Sequence, residues 1–176
     1  LRKGPDLFVS VARQMIREGA EANFLWVGNA VPELRAWLEH DLRAADLARR
    51  VLFTGFREDD DRYLAAADLF LLTSREDPFP NVMLSAMEAG LPIVAFAGSG
   101  GAEEALAGGC GVLTPYADTG AMAREAAGLL RNPGRARALG RTASDRARTR
   151  YRFHDYAEDL AALFADIPRA RERTGG

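Results

Sequence analysis

Glu76 and Asp77 are adjacent carboxylates set between an apolar run, residues 68–73, and a Pro78-Phe79-Pro80 turn. A second apolar run follows at residues 91–96. Two acids and a helix start therefore stand at the carboxyl end of a buried strand, where the loops of an open α/β sheet converge on bound ligands. An ionised carboxylate only accepts hydrogen bonds and can take two hydroxyl donors, so the pair suits a polyhydroxylated ligand. The plainer alternatives are a cap for the helix beginning near Pro80 or a surface charge pair. Ser85 and Glu88 lie three residues apart on that helix and can share a face, although Glu88 also reads as an ordinary exposed helix residue.

A phosphate needs a cation and free backbone N–H groups, which helix N-termini supply together with the dipole. Lys3-Gly4 precedes the first helix, and Pro80-Asn81-Val82 opens the helix after the acids. Gly98-Ser99-Gly100-Gly101 opens the helix carrying Glu103 and Glu104. Glycine lets a phosphate approach the backbone closely, but the plain reading of 98–101 is a tight strand-to-helix turn. A dinucleotide fingerprint would need glycine where Glu103 stands and would open the domain, which argues against NAD. The only histidines, His40 and His154, are far apart, and no cluster has the spacing of metal ligands, so no metal is expected. No Gly-x-Ser-x-Gly nucleophile elbow is present.

The elements that must position these residues follow from hydrophobic pattern. Apolar runs at 23–28, 50–55, 68–74, 91–96 and 111–114 read as buried parallel strands. Amphipathic stretches at 6–18, 31–47, 59–67, 80–89, 101–107 and 119–130 read as helices between them, with Asp6 at the cap of the first and Gly19 as its stop. Strands alternating with helices give an α/β fold with a doubly wound parallel sheet. Helices alone follow, at 133–150 and 154–165, the last with an apolar stripe of Tyr156, Leu160, Leu163 and Phe164. Residues 1–166 are expected to form one domain and 167–176 a polar tail. The chain opens on a helix where a sheet of this kind should open on a strand. We expect the first strand to be missing and the chain to be a piece of a longer protein, with preceding residues or another chain filling the slot.

Composition narrows the class. A net charge of −2 argues against a nucleic-acid binder, and the arginine-rich run 131–152 reads as a solvated helix face. The single cysteine, Cys110, excludes a disulfide framework and suits a reducing, cytoplasmic setting; its place before an apolar run makes it a buried thiol. No apolar run approaches the ~20 residues that span a bilayer.

Taken in order, these segments resemble the C-terminal half of GT-B-fold, family-4-type retaining glycosyltransferases. Lys3-Gly4-Pro5-Asp6 is similar to the family's Lys-Gly-x-Asp. Residues 24–28 and 51–55 resemble its next two strands, 63–74 the segment ending in a strand and serine, and Gly100-Gly101-Ala102-Glu103-Glu104 its Gly-Gly-x-x-Glu. Residues 110–116 and the Ala121-Met122-Ala123 helix complete the likeness. The resemblance implies a Rossmann-like domain that binds a nucleoside diphosphate sugar, with no further cofactor. Lys3 and Gly4 would meet the diphosphate together with backbone N–H groups around Phe79, Pro80, Asn81 and Val82. Phe56 and Arg57 would lie beside the base. Asp77, with Glu76 as its neighbour, would hold the donor sugar as the first acid of the family's pair; Lys3, Glu76 and Asp77 are the implied catalytic residues.

The chain departs from the family where the second acid, expected eight positions after the first, would hold the ribose: that position is Ser85. A serine contributes ~1 kcal/mol less than a charge-assisted bond. Either Glu88 substitutes from one turn later, or donor affinity and nucleotide choice have shifted. The acceptor half of such an enzyme, and any membrane-surface association, would lie outside this chain, which alone would be inactive and prone to self-association. Two other functions stay open: a GT-B epimerase, for which the histidines are badly placed, and a non-catalytic nucleotide-sugar module, which Ser85 favours.

Overall fold

A computed structural model describes residues 1–166; the polar tail expected at 167–176 lies outside the described residues. The short apolar runs form strands β1 (Phe24–Val27), β2 (Val51–Gly55), β3 (Phe70–Leu72), β4 (Ile93–Phe96) and β5 (Val112–Thr114). The amphipathic stretches form helices α1 (Pro5–Arg17), α2 (Pro32–Ala44), α3 (Asp60–Ala65), α4 (Asn81–Glu88), α5 (Ala102–Leu106), α6 (Thr119–Arg131), α7 (Pro133–Arg150) and α8 (Phe153–Asp166). The pairings β1–β2, β3–β4 and β4–β5 are parallel, as crossovers through helices require.

β4 shows why helices must cover both faces of this sheet. All of its side chains are buried, and they alternate between two cores. Val94 and Phe96 join Phe8, Val11, Met15, Met122 and Leu129, from α1 and α6. Ile93 and Ala95 join Met83, Met87, Leu106 and Ala143, from α4, α5 and α7. The fold class is therefore α/β and doubly wound.

The strands form two hydrogen-bonded groups, β1-β2 and β3-β4-β5. Among the described residues no strand joins β1 to β3. Both groups nonetheless feed one core, since Phe24 and Val51 pack in the cluster that holds Val94 and Phe96.

Two local expectations need correction. Asp6 is not the cap of the first helix: Gly4 is, at φ 71°, and Pro5 takes the first helical position, which its ring pre-organises. The second helix stops at Ala44 rather than 47, because Asp46 adopts a left-handed conformation at φ 56°. On α8, Tyr156, Leu163 and Phe164 are exposed. Cys110 is buried, and burial pushes its thiol pKa up. No helix of the described residues is long and apolar enough to cross a membrane.

Candidate functional site

β3 runs directly into Thr73 and Ser74, both buried, and then into the loop that carries Arg75, Glu76 and Asp77. This loop is stitched to the turn after β4. The Asp77 N–H donates to the Ser99 carbonyl at 2.7 Å, and the Gly101 N–H donates to the Asp77 carbonyl at 3.2 Å. A Cβ on Gly100 would collide with the Asp77 carbonyl, and one on Gly101 with the Pro78 carbonyl and the Phe79 ring. The glycines at 100 and 101 are thus needed so that two loops can touch. The Gly98 N–H is occupied as well, by Glu103 Oε1 at 2.9 Å. Residues 98–101 accordingly serve as a tight turn, with the N–H groups of Gly98 and Gly101 already bonded within the protein.

The packing leaves Asp77 buried while Glu76 is exposed. The Lys3 ammonium lies in hydrogen-bonding contact with Asp77 Oδ2. The Arg2 guanidinium stands 4.0 Å from Asp77 Oδ1 and donates to the Glu76 carbonyl at 3.4 Å. A carboxylate withdrawn from water is thus balanced by cations from the start of the chain, and Lys3 keeps a side chain 47% exposed.

What brings residues 1–4 here is a set of bonds from the same loop. The Thr73 hydroxyl lies 3.1 Å from the Gly4 carbonyl and 3.3 Å from that of Lys3. The Arg75 N–H donates to the Arg2 carbonyl at 2.8 Å. The Arg75 side chain grips both oxygens of Asp6, at 2.9 and 2.6 Å, and donates to the Leu1 carbonyl at 2.9 Å. The Asp6 carboxyl is held below its usual range by that guanidinium, and Arg75 is pushed up in turn by Asp6. Gly4 completes the fit, because a Cβ there would strike the Thr73 carbonyl.

The remaining candidates lie around this centre at different removes. Pro80 is the N-cap of α4, no side chain caps that helix, and Asn81 and Val82 are exposed in its first turn. The acids at 76 and 77 are therefore not a helix cap. Phe79 turns its ring toward Tyr151 of the α7 terminus, centroids 5.4 Å apart, so it can offer a ligand only its backbone. Ser85 and Glu88 are both exposed on α4. Phe56 and Arg57 follow β2; the Phe56 side chain is 66% exposed, while its N–H is held by Asn29 Oδ1 at 3.2 Å. The structure joins Lys3 to Asp77 by direct contact and Gly4 to Thr73 of the same loop, and among the described residues no such contact ties Phe56, Arg57, Ser85 or Glu88 to them. Sequence reasoning missed Thr73, Arg75 and the true role of Asp6. An arginine between a buried serine and the acid pair was the available signal.

A groove of about 570 Å³ lies elsewhere, between α1 and α2, lined by Asp6, Ser10, Arg13, Gln14, Arg17 and Asp41 among others. It opens against the sides of helices, where backbone N–H groups are already bonded, so it offers no anion cradle comparable to the loop and helix start at Lys3 and Asn81.

Residues 1–132 match the family described as Glycosyl transferases group 1. The 2-deoxystreptamine N-acetyl-D-glucosaminyltransferase of Niallia circulans is 32% identical over 139 residues, which cover 78% of this chain and 35% of that protein. The chain thus spans about a third of that relative's length. The fold superposes on Anabaena HepE in complex with UDP-glucose with a TM-score of 0.85, at 24% identity, covering 94% of this chain and 46% of that one. It also superposes on the C-terminal domain of a group 1 glycosyl transferase, LpcC, from Francisella tularensis, with a TM-score of 0.77, at 20% identity, covering 86% of this chain and 81% of that one. With three quarters of its length matching, the chain belongs to the glycosyl transferases group 1 family.

Proposed function

We propose that residues 1–166 bind the nucleoside diphosphate sugar donor of a retaining glycosyltransferase, and that the acceptor is bound by an N-terminal half of the parent protein. The observation that carries this is the Lys3 ammonium, half-exposed and held by Asp77 at the carboxyl end of β3, in the loop that leads into an uncapped helix start at Pro80-Asn81. That combination of fixed cation and free N–H groups suits a diphosphate. The UDP-glucose bound to Anabaena HepE supports the ligand class.

In the proposed reaction the bond between the sugar's anomeric carbon and the diphosphate oxygen breaks, and its electrons leave with the diphosphate. An acceptor hydroxyl forms the new bond on the same face and passes its proton to the departing diphosphate oxygen. Lys3 stabilises the charge that collects on the departing diphosphate, where a preorganised cation is worth most. The N–H groups of Asn81 and Val82 share that charge, and Asp77 and Glu76 orient the sugar. Phe56 and Arg57 flank the base, and Ser85, with Glu88 one turn on, faces the ribose. No further cofactor or metal enters this scheme. A buried, unpaired Cys110 suits a cytoplasmic setting.

Ser85 favours a second reading, a nucleotide-sugar-binding module that transfers nothing. A thermal-shift screen with UDP, GDP, ADP and their sugars tests the first step of both, because a ligand bound only by the native state raises its stability. Binding of at least one diphosphate is expected, and no shift from any would overturn donor binding. Sugar transfer by the full-length parent then separates enzyme from module, and turnover by residues 1–176 alone would refute the placement of the acceptor site outside them.

A further inference from the structure

Lys3 has a long, flexible stem, and its usefulness as a fixed cation depends on what fixes its backbone. Residues 1–3 belong to no helix or strand. The Leu1 carbonyl meets the Arg75 side chain, the Arg2 carbonyl meets the Arg75 N–H, and the Lys3 carbonyl meets the Thr73 hydroxyl. The far side of the joint is Asp6, in the first turn of α1, whose carboxylate receives the Arg75 fork through both oxygens. Arg75 therefore clamps the residues on either side of Lys3 to the loop that presents Asp77.

We propose that Arg75, acting through Asp6 and the Leu1 carbonyl, is a positioning residue that sets the Lys3 ammonium for a diphosphate it does not itself touch. This rests on the donor-binding reading above. The geometry is specific to arginine, since two parallel N–H donors match the two carboxylate oxygens and a third N–H is left for Leu1, whereas a lysine is a point charge. Both side chains are only 30% exposed, so water and salt screen the pair less than they would a pair on the open surface. The mutual perturbation of the two groups, Asp6 down and Arg75 up, agrees with a persistent pair.

The test is a double-mutant cycle on the chain in its natural context, titrated calorimetrically with UDP, GDP and ADP. Arg75→Lys and Arg75→Ala should each weaken the tightest of these by about tenfold, the value of one well-placed hydrogen-bonded contact. In a Lys3→Ala background the same substitutions should cost nothing more, because they act only through Lys3. A merely structural arginine would lose affinity equally in both backgrounds, and that result would overturn the proposal, as would Arg75→Lys binding within twofold of wild type. If Arg75→Ala fails to fold, Asp6→Asn cuts the same fork from the other side and should show the same loss and the same dependence on Lys3. Wild type binding none of the three diphosphates would remove the donor-binding reading and this inference together. Wild-type binding with an unaffected Arg75→Lys removes this inference alone.

Discussion

The Lys3 ammonium rests on the Asp77 carboxylate across 74 positions of sequence. Asp77 keeps only 7% of its side-chain surface, so it depends on a cation more than Lys3, at 47%, depends on it. Breaking a wholly buried pair costs ~3–5 kcal/mol, but Arg2 stands 4.0 Å away as a second cation and Lys3 is half-solvated. Lys3→Ala should therefore destabilise by about 1–2 kcal/mol. A denaturant midpoint that falls with an unchanged slope checks this. Asp77→Asn keeps the backbone bonds to Ser99 and Gly101 and should cost less; equal stability of wild type and Lys3→Ala would show the pair to be idle.

Gly4 and Gly19 separate backbone strain from collision. Both have positive φ, 71° and 83°, but a Cβ on Gly4 meets the Thr73 carbonyl while one on Gly19 meets nothing within 4 Å. Gly19→Ala should cost ~1 kcal/mol, the strain of a left-handed residue. Gly4→Ala should cost at least ~2 kcal/mol more, because the obstructing atom is backbone and the joint between α1 and β3 must open. Thermal unfolding of the two variants side by side measures the difference, and equal costs would refute the close approach.

The Asp6–Arg75 pair predicts an acid limb. The folded Asp6 carboxyl lies below its unfolded value because Arg75 favours the ionised form. Its contribution to stability is thus fully present above the unfolded value of ~3.9 and is lost as pH falls through the lower folded value. Arg75→Ala should flatten stability against pH in that window and leave its slope at pH 6–8 unchanged. An undiminished acid limb in the variant would show that the pair does not persist in solution.

Burial raises the Cys110 thiol above its ordinary pKa, and its sulfur lies 3.6 Å from the Thr142 carbonyl. The native protein should resist alkylation by iodoacetamide at pH 8, while the unfolded chain reacts at once. Rapid modification under native conditions would mean that the packing between α5 and α7 opens locally.

Strand and helix identities were legible because each apolar run has the length and period of one element, and β4 shows the clearest case, with every residue buried. The ends were less so: Asp46 turns left-handed and stops α2, a choice that periodicity cannot reveal. At the site, the loop with Asp77 was readable from its place after β3, and Lys3-Gly4 from its place before a helix. The alliance of Asp6 with Arg75 was not, since a local cap and a partner 69 positions away leave the same mark on the sequence. The glycines at 100 and 101 allowed both an anion cradle and the plainer tight turn; the turn is what forms, and their lack of side chains serves the contact with residues 77–79.

A nucleoside diphosphate is expected to bind at the carboxyl end of β3, between Lys3 and the start of α4. The most direct measurement is an amide-resolved NMR titration of the chain with UDP, GDP and ADP. The largest shifts for at least one of them should fall at Lys3, Gly4, Phe56, Asn81 and Val82, and should vanish at Lys3-adjacent amides in Lys3→Ala. Shifts gathered instead at Arg13, Arg17 and Asp41, in the groove between α1 and α2, would place the ligand elsewhere and contradict it.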